Sequence, residues 1–178
     1  MRRARVFLAI LASVVLVRPP AALHASVVVP MSLPQLTGAA ALIVDATVVD
    51  VRHVVAADGA ERLVLVRVAA AWKGAADETL YVRLAGGQVG RYATRVPGVP
   101  TVSAGDRLVW FLAPHPRGGY AVIGLHQGAL RTMQAQTGET FVSAPARDTT
   151  RRGDASRIPR RLADLAGEVQ GLLAGVPR

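Results

Sequence analysis

Residues 105–128 read GDRLVWFLAPHPRGGYAVIGLHQG, two apolar strand patterns joined by a Pro/Gly turn. Leu108, Trp110 and Leu112 alternate with Val109, Phe111 and Ala113, so the first strand offers an apolar surface on both of its faces. Pro114-His115-Pro116-Arg117-Gly118-Gly119 ends it with residues that cannot extend a ladder or that accept a positive φ. Tyr120, Val122 and Gly124 then alternate with Ala121, Ile123 and Leu125. A hairpin this apolar belongs at the centre of a β-barrel or sandwich.

Working outward, the chain before this hairpin supplies three more strands. Leu42 to Val54 is a long strand whose apolar phase changes partway: Leu42, Val44, Ala46 and Val48 share one face, Val49 and Val51 the other. Such a change predicts a bulge or sharp coil, as a strand shared by two sides of a small barrel requires. Asp58-Gly59 reads as a hairpin turn. The return strand carries Val64, Val66, Val68, Ala70 and Trp72 on one face and stops at Lys73-Gly74. In the third strand Leu80, Val82 and Leu84 point inward. After the hairpin, His126 to Met133 is expected to form a further strand, and Thr140-Phe141-Val142 an edge strand.

Helices are expected at both ends. Ser32 as N-cap, Pro34 in the first turn and Gln35 at the capping-box position open a short one, with Leu33, Leu36 and Ala40 toward the core at one barrel end. Pro159 opens the last one, striped by Leu162, Leu165, Ala166, Val169, Leu172 and Leu173. Gly167 and Gly171 weaken that helix by about 1 kcal/mol each relative to alanine, so it needs a surface to pack on. Its polar face mixes Arg161, Asp164 and Glu168, where a membrane-surface helix would be mostly basic.

The first residues read as an export signal. Met1-Arg2-Arg3-Ala4-Arg5 is basic, Val6 to Val17 is apolar, and Ala25 before Ser26 marks the expected cleavage point. Twelve residues span about 18 Å as a helix, short of the roughly 20 residues that a membrane crossing needs. The chain is therefore expected in the periplasm or outside the cell, without stable membrane insertion after signal removal. With no cysteine in the chain, no disulfide framework, lipid-bearing thiol or thiol chemistry is available.

The net charge of +9 suggests nucleic acid but does not support it. Removing residues 1–25 takes away four arginines and no acids, leaving 17 basic against 12 acidic side chains, +5. No aromatic is interleaved with a basic run as single-strand binders require. The organisation that follows is 1–25 signal, 26–143 β-domain, 144–157 an Arg/Asp/Thr/Ser-rich linker, and 158–178 the terminal helix.

Chemistry-bearing motifs are missing. His53, His115 and His126 have no spacing that presents two imidazoles to one metal, and no G-x-S-x-G elbow surrounds a serine. Asp45 and Asp50 lie five apart, on opposite faces unless the bulge intervenes. Gly86, Gly87 and Gly90 are not followed by the helix start of a phosphate cradle. No catalytic residue, metal ligand or cofactor is assigned. What remains is the segment 85–104, AGGQVGRYATRVPGVPTVSA, whose four glycines and two prolines are expected to forbid a regular element. Long loops inside compact domains are usually functional or disordered, and this one presents Gln88, Arg91, Tyr92 and Arg95 as binding residues.

These residues carry a resemblance. Ser32-Leu33-x-x-Leu36, Ala41-x-Ile43-Val44, Trp72-Lys73-Gly74, Gly86-Gly87-x-x-Gly90 and Val96-Pro97-Gly98-Val99-Pro100 come first. Ala104-Gly105-Asp106, Val109-Trp110-Phe111-Leu112, Tyr120-x-Val122-x-Gly124 and Gln127-Gly128 follow. Over about Ser32 to Met133, plus the last helix, the chain resembles a family of uncharacterised exported bacterial proteins. Their small barrel is similar to the OB-like domain of tissue inhibitors of metalloproteinases and netrins. The resemblance implies a mainly β fold, a small closed or partly open OB-like β-barrel of five or six strands with a short N-terminal helix and a C-terminal amphipathic helix. Those inhibitors chelate the protease zinc through an N-terminal cysteine, which this chain lacks, so their mechanism does not carry over.

The function expected is a non-enzymatic binding or interaction module with a protein partner of unknown identity. Its alternatives are a modulator or inhibitor of a secreted protease acting through 85–104, and a hydrolase whose site assembles from His53, His126 and scattered acids.

Overall fold

A computed structural model of the chain describes residues 30–57, 59–143 and 159–175. The expected signal with its cleavage point at Ala25 and Ser26, and the linker at 144–157, lie outside these residues. In order the chain forms α1 (Leu33–Ala39), β1 (Leu42–Ala56), β2 (Gly59–Lys73), β3 (Thr79–Ala85), β4 (Gly87–Val89) and β5 (Tyr92–Thr94). β6 (Arg107–Pro114), β7 (Tyr120–Val122), a 3-10 turn (Leu125–Gly128), β8 (Ala129–Gln134), β9 (Thr140–Ser143), β10 (Arg160–Arg161) and α2 (Leu162–Ala174) follow. The fold is mainly β, with a short helix near each end of the described chain.

The apolar hairpin is where the sequence places it. β6 pairs antiparallel with β7 from Leu112↔Val122 to Pro114↔Tyr120, and along its other edge with β1 from Leu42↔Leu112 to Thr47↔Arg107. β8 takes the part of the first edge that β7 leaves, at Leu108–Trp110. β2 lies beside β1 along its whole length, β3 beside β2, and β7 runs parallel to β3 at Val82↔Tyr120 and Arg83↔Ala121. β9 and β10 extend the sheet beyond β8. Thr140–Ser143 is thus flanked on both sides rather than forming an edge, because Arg160 and Arg161 pair with Val142 and Phe141.

Alternation along β1 and β6 sorts the core into two layers. Leu42, Val44, Ala46, Val48, Leu108, Trp110 and Leu112 meet Val64, Val66, Val82 and Leu84 on one side. Ile43, Val109 and Phe111 face the other way and meet Leu36, Leu130, Leu165 and Val169. Both helices therefore lie over the outer face of β1 and β6, so α1 covers a sheet face and not a barrel end.

The predicted bulge is present and is one of three. Val49 is the extra residue on β1, where Val48 opposes Val66 and Asp50 opposes Leu65. On β2, Ala69 and Trp72 are extra, since Ala70 and Val68 oppose consecutive residues Asp45 and Ala46, and Lys73 and Ala71 oppose Ile43 and Val44. Bulges re-aim side chains. They turn Trp72 away from the Val64 face, where simple alternation puts it, onto the layer under the helices.

Local chemistry closes the elements. Ser32 Oγ accepts the Gln35 N–H at 3.4 Å, and Gln35 Oε1 accepts the Ser32 N–H at 2.8 Å, the expected capping box. Lys73 Nζ donates to the Thr37 and Gly38 carbonyls at 2.7 and 3.3 Å, satisfying the far end of α1. α2 begins at Leu162 rather than at 158, buries Leu165 and Val169, and is tied down by Gln170 Nε2, which donates to the Trp72 carbonyl at 2.9 Å.

The expected strand at His126 to Met133 is corrected in its first half. Residues Leu125–Gly128 coil into the 3-10 turn, and β8 starts only at Ala129. The chain doubles back so closely that a Cβ on Gly128 would lie 2.1 Å from the Ile123 carbonyl oxygen. Gln127 holds the same turn, its Oε1 accepting the Met31 N–H at 2.6 Å and its Nε2 donating to the Gly124 carbonyl at 3.3 Å.

Gly128→Ala must displace backbone, and its expected cost is about 3 kcal/mol. Gly167→Ala, on the exposed face of α2 with nothing within 4 Å of the new Cβ, is expected to add up to about 1 kcal/mol. Urea unfolding followed by tryptophan fluorescence measures both, and the two changes have opposite signs.

Candidate functional site

The segment 85–104 carries a regular element after all. β4 and β5 pair through Gly87↔Thr94, Gln88↔Ala93 and Val89↔Tyr92, forming a hairpin turned at Gly90-Arg91. The glycines that appear to forbid a strand are what allow this one. At Gly86 φ is +81°, and a Cβ there would lie 2.7 Å from the Thr94 carbonyl oxygen, so only glycine lets the chain leave β3 and return beside itself.

Three bonds fasten the base of the hairpin to β1 and β2. The Gly86 N–H donates to the Ala60 carbonyl at 2.9 Å, Arg62 Nε donates to the Gly86 carbonyl at 3.1 Å, and the Gln88 N–H donates to His53 Nδ1 at 2.7 Å. His53 thus acts as an acceptor that positions β4. Burial lowers the pKa of the Arg62 guanidinium, the physical cost of this inward placement.

Beyond its base the hairpin stands in solvent. Gln88 on β4, Arg91 in the turn, Tyr92 on β5 and Arg95 just after it are all exposed. The structure brings Arg91 and Tyr92 together: the guanidinium carbon lies 5.2 Å from the ring centroid, and Nη2 donates to the phenolic oxygen at 3.0 Å. Tyr92 is 68% exposed, a large aromatic presented outward by a braced backbone.

The rest of the segment returns to the core. Val102 is buried, and Val99 packs against the same layer. Asp106 anchors this end, accepting the Ser103 N–H at 2.8 Å through Oδ2 and pairing with Arg131 through Oδ1. Arg131 in turn donates to the Thr101 carbonyl at 3.0 Å. Burial alone would raise the Asp106 pKa, but the Arg131 hydrogen bond, the Ser103 amide and the Arg131 charge together hold it below the usual carboxylate value.

Next to the hairpin base lies a pocket of about 310 Å³. The β1–β2 hairpin, the end of β3, the 94–100 stretch and the β6–β7 turn form its walls. Glu61, with a side chain only 6% exposed, sits in this wall between Arg83 and Arg117. Arg83 Nη1 is 3.3 Å from both carboxylate oxygens, and Arg117 Nη2 is 3.2 Å from Oε2. Arg83 also donates to the Gly118 and Arg117 carbonyls at 2.7 and 2.9 Å, shaping the turn that closes the pocket. Sequence reading passes over this trio because it depends on register: Arg83 opposes Leu63, diagonal to Glu61.

The other groups singled out in the sequence are dispersed. The bulge at Val49 does intervene between Asp45 and Asp50, yet each acid is taken by an arginine. Arg107 grips Asp45 at 2.9 and 2.5 Å, and Arg52 holds Asp50 at 2.7 Å. His115 Nδ1 accepts the Arg117 N–H at 3.1 Å in the β6–β7 turn, and His126 is buried in the 3-10 turn. Among the described residues no group of three or more His, Cys, Asp or Glu side chains is placed to hold a metal ion. No helix among them is long and apolar enough to cross a membrane. The chain matches no family model, no curated protein and no solved structure.

A carboxylate with a lower pKa in the folded chain stabilises above about pH 4 and loses that contribution as the pH falls through the folded value. Asp106→Asn is therefore expected to cost about 1 kcal/mol at neutral pH. The gap to the parent protein should narrow below about pH 4. Urea midpoints at pH 7 and in acid test both statements.

Proposed function

We propose that this chain is an exported, non-enzymatic binding module built on an OB-like barrel, with the β4–β5 hairpin as its arm for a protein partner. The barrel reading draws on the pairings β1–β2, β2–β3, β3–β7, β7–β6 and β6–β1, which run in a ring with the β3–β7 step parallel. That order is consistent with the likeness to tissue inhibitors of metalloproteinases and netrins noted in the sequence. Export rests on the basic, apolar and small-residue pattern of residues 1–25.

One observation carries the binding reading: an exposed Arg91–Tyr92 stack sits on a hairpin whose base is fastened by three hydrogen bonds. Arginine and tyrosine are the side chains most enriched among binding anchors, and a braced backbone reduces the entropy lost on association. Gln88 and Arg95 flank the stack and widen the same surface.

Residues 26–178, immobilised and exposed to envelope extract and culture fluid, should retain a partner. An Arg91→Ala/Tyr92→Ala variant should hold it at least about tenfold more weakly, the equivalent of 1.4 kcal/mol. Equal retention by both forms would remove the hairpin from the binding site. Mass spectrometry of the exported protein should find its first residue at Ser26, and an intact Met1 would contradict the signal reading.

A further inference from the structure

We infer that the pocket beside the hairpin base binds a small monocarboxylate with an apolar body, in a site separate from the Arg91–Tyr92 surface. Its volume of about 310 Å³ falls at the lower end of the range for small-molecule sites. Leu84, Val96, Val99, Val122 and Leu125 give it an apolar lining suited to an aryl or branched-chain group. The polar groups gather on one wall, as they do where a ligand's single charged end is to be oriented.

The charge of that wall selects the ligand. Glu61 lies between two guanidinium groups, so the trio carries one surplus positive charge. A cation would be repelled, and a dianion would bring excess negative charge beside the buried Glu61 carboxylate. One negative charge balances the wall. Arg83 is held in plane by the Gly118 and Arg117 carbonyls, while Arg117 stands at the rim with its side chain 39% exposed. Planar guanidinium groups match carboxylates in shape as well as charge, and an apolar surround strengthens the attraction.

A strained residue at the same place supports the assignment. Among the described residues Leu125 is the one non-glycine with a positive φ, +59°, and its side chain helps to line the pocket. Residues in this region persist only where their surroundings over-determine them, and they cluster at ligand sites. Here the turn that aims Leu125 is held by Gln127 through its bond to Gly124 and by the His126 N–H on the Gly98 carbonyl.

Calorimetric titration of residues 26–178 with 3-phenylpropionate, 3-phenylpropionamide and phenylsuccinate tests the inference. The monoacid should bind with a Kd below about 1 mM, and the amide and the diacid about tenfold or more weakly. Arg117→Ala should weaken the monoacid by about tenfold. Since that change also removes a partner of Glu61, Val96→Phe provides a second test, filling the pocket from its half-exposed rim and abolishing binding while the thermal midpoint stays close to the parent's. Arg91→Ala/Tyr92→Ala should leave the titration unchanged, which separates this site from the hairpin. The inference is overturned by three results: no monoacid heat at millimolar concentration, equal binding of acid and amide, or stronger binding of a peptide C-terminus than of the free acid.

Discussion

Everything in this structure depends on burying both faces of β6 while pairing both of its edges. Trp110 and Phe111 are neighbours in sequence, are both fully inaccessible, and point to opposite layers. A strand of this kind has no solvent side, so it needs sheet partners on each edge and cover on each face. β1 answers on one edge, β7 and β8 share the other, and the helices supply the second cover. With no cysteine to brace it, the chain relies on this apolar packing and on its hydrogen bonds and ion pairs.

The long strands meet that demand only because they bend. β1 and β2 are each fifteen residues long, and a straight pair of that length could not serve the ring of strands and the helix layer together. Bulges at Val49, Ala69 and Trp72 supply the bends, and each moves a side chain to the surface or layer that needs it. Trp72 is the clearest case, because its indole joins the layer under the helices while its carbonyl receives Gln170 and its neighbour Lys73 satisfies α1. One bend thus couples the sheet to both helices.

The same pairing leaves two features without a structural task. The β3–β7 contact is only two residue pairs long, and the pocket with its Glu61 wall lies where it ends. The β4–β5 hairpin leaves the sheet at the same corner. Other charged groups are occupied in holding elements together: Asp45 with Arg107, and Asp106 with Arg131, pin β1, β6 and β8 to one another. A buried carboxylate facing an apolar cavity, and an aromatic held in solvent, are different in kind. Each keeps an unfavourable surface that packing alone would remove.

Much of the framework was legible in the residues themselves. Period-two alternation marked β1, β2, β3 and β6, the phase change after Val48 marked a bulge, and Ser32 with Gln35 marked the start of α1. Those signals are local, since a strand's faces and a helix's cap are written within a few residues. Three things were not: the 3-10 turn at Leu125–Gly128, the hairpin inside 85–104, and the Glu61–Arg83–Arg117 wall. The turn depends on the approach of Gly128 to Ile123, the hairpin on bonds from Ala60, Arg62 and His53, and the wall on a register that sets residue 61 diagonal to residue 83 and near residue 117. The sequence by itself determined the strands, the caps and the need for a doubly buried centre, because hydrophobic periodicity acts within one element. Only the tertiary structure decided the site, because its distances join residues far apart in the chain, and no local propensity encodes them.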